Sequence, residues 1–504
     1  MKTELCTCEM ILTDATAFIG LFLNAITKFD VIIKTMENGK LKQYLDQAWS
    51  MLEANEHDAP NHPILSTNDP DEIRKSLDHS LPLKEDGFGN VLKAFKRQVL
   101  PYINRNTDPR FGAYITGSGN RMAAIAEFIK AFYNQNGLKW NNSPICSELE
   151  QLVIKWVSEF IHLPDHNKGV LTSGGSMSNL MVLHFAIAAK FPKREMTGFY
   201  GNKPLTVYCS NQTHSSIDRA MVFLGLGRDH LRKIDVVGDY RIDVSKLRET
   251  IEKDLASGFQ PLAIVGNAGT TNTGSIDPLN DLADLAAEYN LWYHVDGAYG
   301  LPAIRVPSYE HFFRGVERAD SVIINPHKWM YVPFEASCVL LKNIPKAIHY
   351  SPDYLFTENA DERWESSEHT IELSKEFRAL KIWFTMKYYG ADKLTHFVEH
   401  DILMTSYLAD HIGVLNKIVI DPHHPLSILC FRYEDPDLNS AENDNINIKM
   451  IRLIESRGNV FITGTRLKGR IHLRVYFGNP ERKKEDVDRL VEEIRQVNAQ
   501  VLLE

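Results

Sequence analysis

Cysteine is scarce: six residues in a chain of 504, too few and too irregularly spaced for a disulfide framework. Cys6 and Cys8 form a Cys-x-Cys pair, but no second pair stands at zinc-ligand spacing, so no metal is expected. A reducing cytoplasm is the simpler setting. Positive charge is in short supply as well: 56 Lys and Arg against 65 Asp and Glu give a net charge of −9. A general nucleic-acid binder shows the opposite balance, so no nucleic-acid partner is expected. Long apolar runs are also missing. Ile11 to Ile26 is the nearest approach, and Asp14 and its threonines interrupt it short of a membrane span. The N-terminus lacks the charged start and small-residue cleavage site of a signal peptide. An amphipathic helix packed on the protein or on a partner subunit suits that stretch better, and no membrane partner is expected.

What is present is a globular composition, 44% hydrophobic and 24% charged, in a chain long enough for two or three domains and a deep pocket. Residues 1 to about 80 read as helices joined by polar turns, ending in the Pro/Asn/His-rich stretch Asp58 to Pro70. From about residue 140 short β-rich runs alternate with helical patterns: Leu205 to Cys209, Leu262 to Val265, Leu291 to Val295, Val322 to Ile324 and Cys338 to Leu341. Amphipathic segments such as Leu279 to Glu288 lie between them. This alternation predicts an α/β domain with a mostly parallel sheet. Beyond about residue 395 a long helix leads to strands at Lys417 to Ile420 and Leu426 to Phe431, and then to a helix near Ile446 to Glu455. Strands at Val460 to Thr463 and Ile471 to Tyr476 and a helix from Glu481 complete a small α+β domain. The expected organisation is a helical segment over 1–80, a large domain over 81–395 and a small one over 396–504.

Four local features fall at strand ends or helix starts, where open α/β sheets bind ligands. Thr172 to Asn179, with Gly174, Gly175, Ser176 and Met177, precedes an apolar helical stretch. Such a turn lets backbone N–H groups attract a phosphate, though Gly/Ser turns also serve as plain caps. Asp296, within Trp292 to Tyr299, ends an apolar strand, a costly place for a carboxylate without a partner. It either caps the next turn or pairs with a protonated pyridine nitrogen. At about 4 Å and an effective dielectric near 20, that pair is worth roughly 4 kcal/mol, about three pKa units. Lys328, in Asn325-Pro326-His327-Lys328-Trp329, follows an apolar strand and precedes Met330, Tyr331 and Val332. An apolar setting lowers a lysine's pKa and favours imine formation, while Asn325 and His327 flank it as phosphate donors. His214, in Asn211 to Asp218, follows a strand and is either structural or stacked on a flat ring.

Taken together, these motifs resemble the group II pyridoxal-phosphate-dependent amino-acid decarboxylases, of the aromatic-L-amino-acid decarboxylase type. The resemblance runs from about Asp108-Pro109-Arg110-Phe111 to the C-terminus. It rests on His294 to Tyr299 and Asn325 to Trp329, supported by Asn211 to Ser216 and Ser143 to Glu150. It implies pyridoxal 5′-phosphate as cofactor, fold type I architecture, a small amino-acid substrate, and a homodimer with active sites at the interface. By position it makes Lys328 the Schiff-base lysine and Asp296 the pyridine-nitrogen partner. His214 stacks on one ring face and Ala298 packs on the other. Gly175, Ser176, Asn325 and His327 fall in the phosphate region, and Thr271 lies near the ring substituents. Met177 stands where some relatives carry a hydroxyl, so only its backbone can serve the phosphate. Gly297 replaces a common alanine, a change expected to be harmless.

Ser351 to Leu355 resembles the start of the family's mobile loop, whose tyrosine, here Tyr354, protonates the substrate carbon after carbon dioxide leaves and reaches the partner's site. Leu373 to Arg378 matches the family's basic stretch only in part, which leaves the substrate open. The implied reaction is decarboxylation of an L-amino acid, aromatic in the first instance, to the amine. Alternatives on the same scaffold are an aldehyde synthase, a decarboxylase of acidic or aliphatic amino acids, and an inactive relative kept as a binding protein.

Overall fold

The computed structural model describes residues 40–59, 62–66, 69–199, 203–345 and 363–503. Cys6, Cys8, Ile11 to Ile26 and Ser351 to Leu355, including Tyr354, lie outside the described residues. The chain divides between Asn104 and Arg105 into two units. The first contains helices Lys40–His57, Pro70–Ser76 and Phe88–Gln98. Asp69 starts the second of these by accepting from the Asp71 and Glu72 N–H groups, with Pro70 at the first helical position, where its missing N–H costs nothing. Tyr44 stacks on Phe88 with ring centroids 4.5 Å apart.

In the second unit a seven-stranded sheet comprises β1 (Lys168–Thr172), β2 (Leu205–Ser210), β3 (Leu231–Ile234), β4 (Gln260–Asn267), β5 (Trp292–Asp296), β6 (Ser321–Ile324) and β7 (Ser337–Leu341). Their order is β1-β7-β6-β5-β4-β2-β3. Only β7 runs against its neighbours; the pairings among β6, β5, β4, β2 and β3 are parallel. Parallel strands need both faces covered, and alternate residues supply two cores. Tyr208, Ile264, Val295 and Val322 face one, with helices Pro144–Phe160 and Leu279–Glu288. Val207, Val265, Trp292 and Ile323 face the other, with helices Gly175–Lys190 and Ser216–Phe223.

The helical stretch Ala379–Ile412 breaks at Gly390 (φ 71°, ψ 165°), a left-handed backbone that glycine adopts without strain. It leads into a second sheet of β8 (Ile418–Ile420), β9 (Ile428–Tyr433), β10 (Thr463–Leu467) and β11 (Arg470–Tyr476), antiparallel in the order β10-β11-β9-β8. Helices Ser440–Arg457 and Lys484–Leu503 share its core. The architecture is the mostly parallel α/β sheet with a small α+β unit read from the sequence, and helix Leu279–Glu288 falls where expected. The run Val460 to Thr463 is not the strand itself. Val460, Phe461 and Ile462 are buried beside it, and β10 begins at Thr463 as a polar edge strand paired on one side only. The four cysteines among the described residues are buried free thiols, and no helix among those residues is long and apolar enough to cross a membrane.

Candidate active site

The parallel topology brings the ends of β1, β2, β4, β5 and β6 to one edge of the sheet, and the start of β7 joins them through the Thr172–Ser337 pairing. This edge is the ligand side of an open α/β sheet. Beyond β6 the chain turns through Asn325 to Val332, held by Lys328 N–H to Asn325 O (2.9 Å) and Val332 N–H to Pro326 O (3.0 Å). Two anchors, the buried Asp401 and the half-buried Asn120, fix Trp329 and Tyr331, just past the lysine. The Asp401 carboxylate accepts from Trp329 Nε1 (3.0 Å) and the Tyr331 hydroxyl (2.8 Å), and Asn120 Nδ2 donates to Tyr331 O (2.8 Å). Lys328 therefore projects from a clamped turn. Part of its surface stays accessible, as a ligand site requires. Yet the surrounding protein desolvates the amine and lowers its pKa; the Asp296 carboxylate opposes this and the Arg474 guanidinium adds to it.

Asp296 is buried at the end of β5. Its Oδ1 accepts from Ala298 N–H (3.1 Å) and its Oδ2 from Asn179 Nδ2 (2.9 Å), so the turn geometry fixes one oxygen and a neighbouring helix the other. Ala298 is itself held by Asn325 N–H, which donates to its carbonyl (3.2 Å). His214 lies beyond β2, exposed in the single chain, with Nδ1 tied to Ser216 Oγ (2.9 Å) and Ser216 N–H (3.2 Å). Thr271 lies in the loop after β4, and its carbonyl accepts from Arg474 Nη2 (2.6 Å).

The phosphate region can be tested on its donors. Helix Gly175–Lys190 starts with no side-chain cap, leaving first-turn N–H groups free for an anion. Asn325 Oδ1 is committed to the Ser337 hydroxyl (2.6 Å), and His327 Nδ1 to Ala336 N–H (3.0 Å). Asn325 Nδ2 and His327 Nε2 are left 3.5 Å apart, beside the glycines. A Cβ at Gly175 would lie 3.0 Å from Asn325 Nδ2, and one at Gly174 would lie 3.9 Å from His327 Cε1. Burial holds the His327 pKa at about 3, so the ring is a neutral donor. Ser176 is exposed at the mouth, while the Met177 side chain packs into the apolar core and offers the turn only its backbone. Free N–H groups, two aimed donors and glycines in place of side chains fit the phosphate of pyridoxal 5′-phosphate. Lys328 and Asp296 fit its aldehyde and ring nitrogen.

Several residues here carried no role in the sequence reading: Asn179, His294, Ser337, Asp401 and Arg474. Asn179 had a visible signal, a polar residue opening an otherwise apolar helix. Asp401 had none, since its partners Trp329 and Tyr331 are some seventy residues away.

The pyridoxal-dependent decarboxylase conserved domain matches residues 70–434. An aromatic-L-amino-acid decarboxylase of Bacillus atrophaeus is 31% identical over 468 residues, covering 92% of this chain and 96% of the relative. A phenylacetaldehyde synthase of Petunia hybrida is 30% identical, covering 84% of this chain and 87% of the relative. Among solved structures, Catharanthus roseus tryptophan decarboxylase in complex with L-tryptophan aligns with a TM-score of 0.83 at 25% identity, over 92% of this chain and 99% of that one. The chain therefore belongs to the pyridoxal-dependent decarboxylase family: it is a fold type I carboxy-lyase that uses pyridoxal 5′-phosphate to decarboxylate an amino acid.

Proposed function

We propose that the substrate is an aromatic L-amino acid, released as its amine and carbon dioxide, and that Lys328, Asp296, His214 and Tyr354 carry the chemistry. The observation that bears most weight is the convergence of Lys328 and Asp296 at one sheet edge, close enough for the carboxylate to raise the amine's pKa against desolvation. Bound cofactor supplies the electron sink for the pair left behind when the carboxylate departs. Lys328 would hold the cofactor covalently, and the desolvation that lowers its pKa favours the uncharged amine that forming this bond requires. Asp296 keeps a proton on the ring nitrogen, His214 covers one ring face and Ala298 backs the other. Thr271 borders the ring substituents. Gly175, Ser176 and Met177 through their N–H groups, with Asn325 and His327, hold the phosphate. Tyr354 delivers a proton to the substrate α-carbon.

The aromatic preference is supported by the relatives: a tryptophan decarboxylase of Camptotheca acuminata is 30% identical over 433 residues. The working form is a cytoplasmic homodimer with active sites at the interface, in which 1–80 joins the subunits, 81–395 binds cofactor and 396–504 closes the chain. Leu81 and Leu83, strongly exposed in the single chain, support burial against a partner. The test is to screen amino acids for carbon dioxide release, with amine, aldehyde and peroxide measured in parallel. Amine from tryptophan, tyrosine or phenylalanine is expected; exclusive turnover of acidic or aliphatic amino acids would refute the aromatic assignment. A Tyr354→Phe variant is expected to divert product from amine toward aldehyde, and unchanged amine output would remove Tyr354 from its role.

A further inference from the structure

We propose that Asn179 is a positioning residue whose single amide orients Asp296 and, through the Ser216 hydroxyl, the ring of His214, coupling two groups assigned to the cofactor ring. The inference rests on those two assignments.

Asn179 is 1% exposed and lies one turn into helix Gly175–Lys190. Its Nδ2 donates to Asp296 Oδ2 (2.9 Å) and to Ser216 Oγ (2.8 Å), and its Oδ1 faces His294 Nε2 (3.0 Å). A flipped amide would set Oδ1 against the carboxylate, so the network itself fixes the orientation. An amide oxygen cannot donate, so His294 must carry its proton on Nε2. Complete burial holds the His294 pKa near 4, so the ring is neutral and Nδ1 is an acceptor. Ser321 meets Nδ1 with its hydroxyl at 3.0 Å and its carbonyl at 3.1 Å. The neutral ring takes the hydroxyl hydrogen, while Ser321 Oγ accepts from Trp292 Nε1 (2.8 Å). Donation therefore runs one way, from Trp292 through Ser321, His294 and Asn179 to Asp296, and supplies the carboxylate with a hydrogen without adding charge. The second branch runs from Asn179 to the Ser216 hydroxyl, which meets His214 Nδ1 (2.9 Å) beside the Ser216 N–H (3.2 Å) that leaves the His214 proton on Nε2. Among the described residues, the titratable groups facing Asp296 are His294 on its own strand, His214 from the loop after β2 and Lys328 from the turn after β6.

The experiment uses holoenzyme and follows the visible absorbance of bound cofactor against pH, together with kcat and KM. Asn179→Leu keeps the volume and removes every bond. It is expected to shift the absorbance midpoint by at least half a pH unit and lower kcat by 10- to 100-fold, the range for outer-shell partners, with KM changed less than threefold. Asn179→Asp places a second carboxyl against Asp296. Two carboxylates at this distance do not both ionise, and only the protonated one at 179 can donate. This variant is expected to approach wild-type kcat at acid pH and lose it on a new alkaline limb. If Asn179→Leu yields no soluble protein, Asn179→Asp decides alone, and a wild-type alkaline limb in it overturns the proposal. Asp296→Asn is the reference: an unmoved titration there refutes the ring-nitrogen assignment itself. A shift there with none in the Asn179 variants refutes only the present inference. A wild type that accepts no aromatic amino acid would sink the substrate reading and leave these titrations standing.

Discussion

Replacing Asn325 with Asp is expected to abolish tight cofactor binding while leaving the fold intact. The Asn325 side chain is buried and its orientation is imposed from one side. Thr172, Ser178 and Ser337 form a hydroxyl run (2.8 and 2.6 Å) that ends in the Ser337 hydroxyl donating to Asn325 Oδ1. An aspartate keeps that bond and sets its second oxygen where Nδ2 now donates, beside the uncapped start of helix Gly175–Lys190. Without ligand, a carboxylate there is tolerated, being favoured at a helix N-terminus by about 0.3–1 kcal/mol. With phosphate present, a charge-assisted hydrogen bond of about 1.5–3 kcal/mol is lost. Two like charges about 4 Å apart add roughly 4 kcal/mol at an effective dielectric near 20. The sum, about 6 kcal/mol, corresponds to roughly a 10⁴-fold weaker Kd. The assay is titration of apoprotein followed by cofactor absorbance, run in parallel with pyridoxal, which lacks the phosphate. Pyridoxal affinity is expected to be the same in both proteins. A loss under tenfold with pyridoxal phosphate, or an equal loss with pyridoxal, would refute the placement of phosphate at Asn325.

Gly117→Ala would set a Cβ 2.2 Å from Lys328 O and 2.7 Å from His327 O; overpacking of this kind costs about 1–3 kcal/mol and is expected to slow covalent cofactor attachment, read by stopped-flow absorbance. Gly297→Ala restores the family's common alanine, yet its Cβ would lie 2.7 Å from Leu301 Cβ and 3.0 Å from Ile323 O. The variant is expected to melt several degrees lower, and an unchanged melting temperature would show that Leu301 yields freely. Acid should weaken the apoprotein through His294 and His327, whose folded pKa values, about 4 and about 3, lie below the unfolded 6.5. Their contribution is complete above pH 6.5 and is lost as pH falls toward the folded values, because the unfolded chain binds the protons first. At pH 5.5 the loss is about 1.4 kcal/mol for each histidine. The urea midpoint should drop accordingly between pH 7.5 and 5.5, and a flat midpoint would contradict neutral burial of these rings.

The candidate site was legible in the sequence because its residues sit in contiguous runs at strand ends. Lys328 and Asp296 each follow an apolar strand whose period and length announce it, and the parallel topology that unites them follows from the alternation of strands and helices. The geometry that makes them competent was not legible. Asp401 reaches the lysine turn from a helix some seventy residues on, and Arg474 reaches Thr271 from β11; neither has a local pattern. Gly297 illustrates a different limit. Removing a methyl group reads as harmless in sequence, but neighbours close over the space, and the structure around Gly297 no longer has room for the alanine. β1 and β3 also escaped the periodicity reading: they are the two outermost strands of the large sheet, and in β3 the partly exposed Arg232 and exposed Lys233 break the apolar run.

Three histidines at this site share one arrangement. His327 accepts at Nδ1 from Ala336 N–H, His214 from Ser216, and His294 from the Ser321 hydroxyl. In each case protein surroundings lower the pKa and the proton is left on Nε2. A protonated ring in any of these places would compete with the charges that matter. At His327 it would hold phosphate as a tight ion pair whose strength varied with pH. At His294 or His214 it would draw the Asp296 carboxylate away from the ring nitrogen. Backbone and hydroxyl donors at Nδ1 cost little and cannot be titrated near neutrality, so they fix three tautomers without adding charge. Among the described residues the charged groups acting on the Lys328 amine are then Asp296 and Arg474, and under the proposed assignment a cofactor with a cationic ring nitrogen and an anionic phosphate would meet a carboxylate at the first and neutral donors at the second.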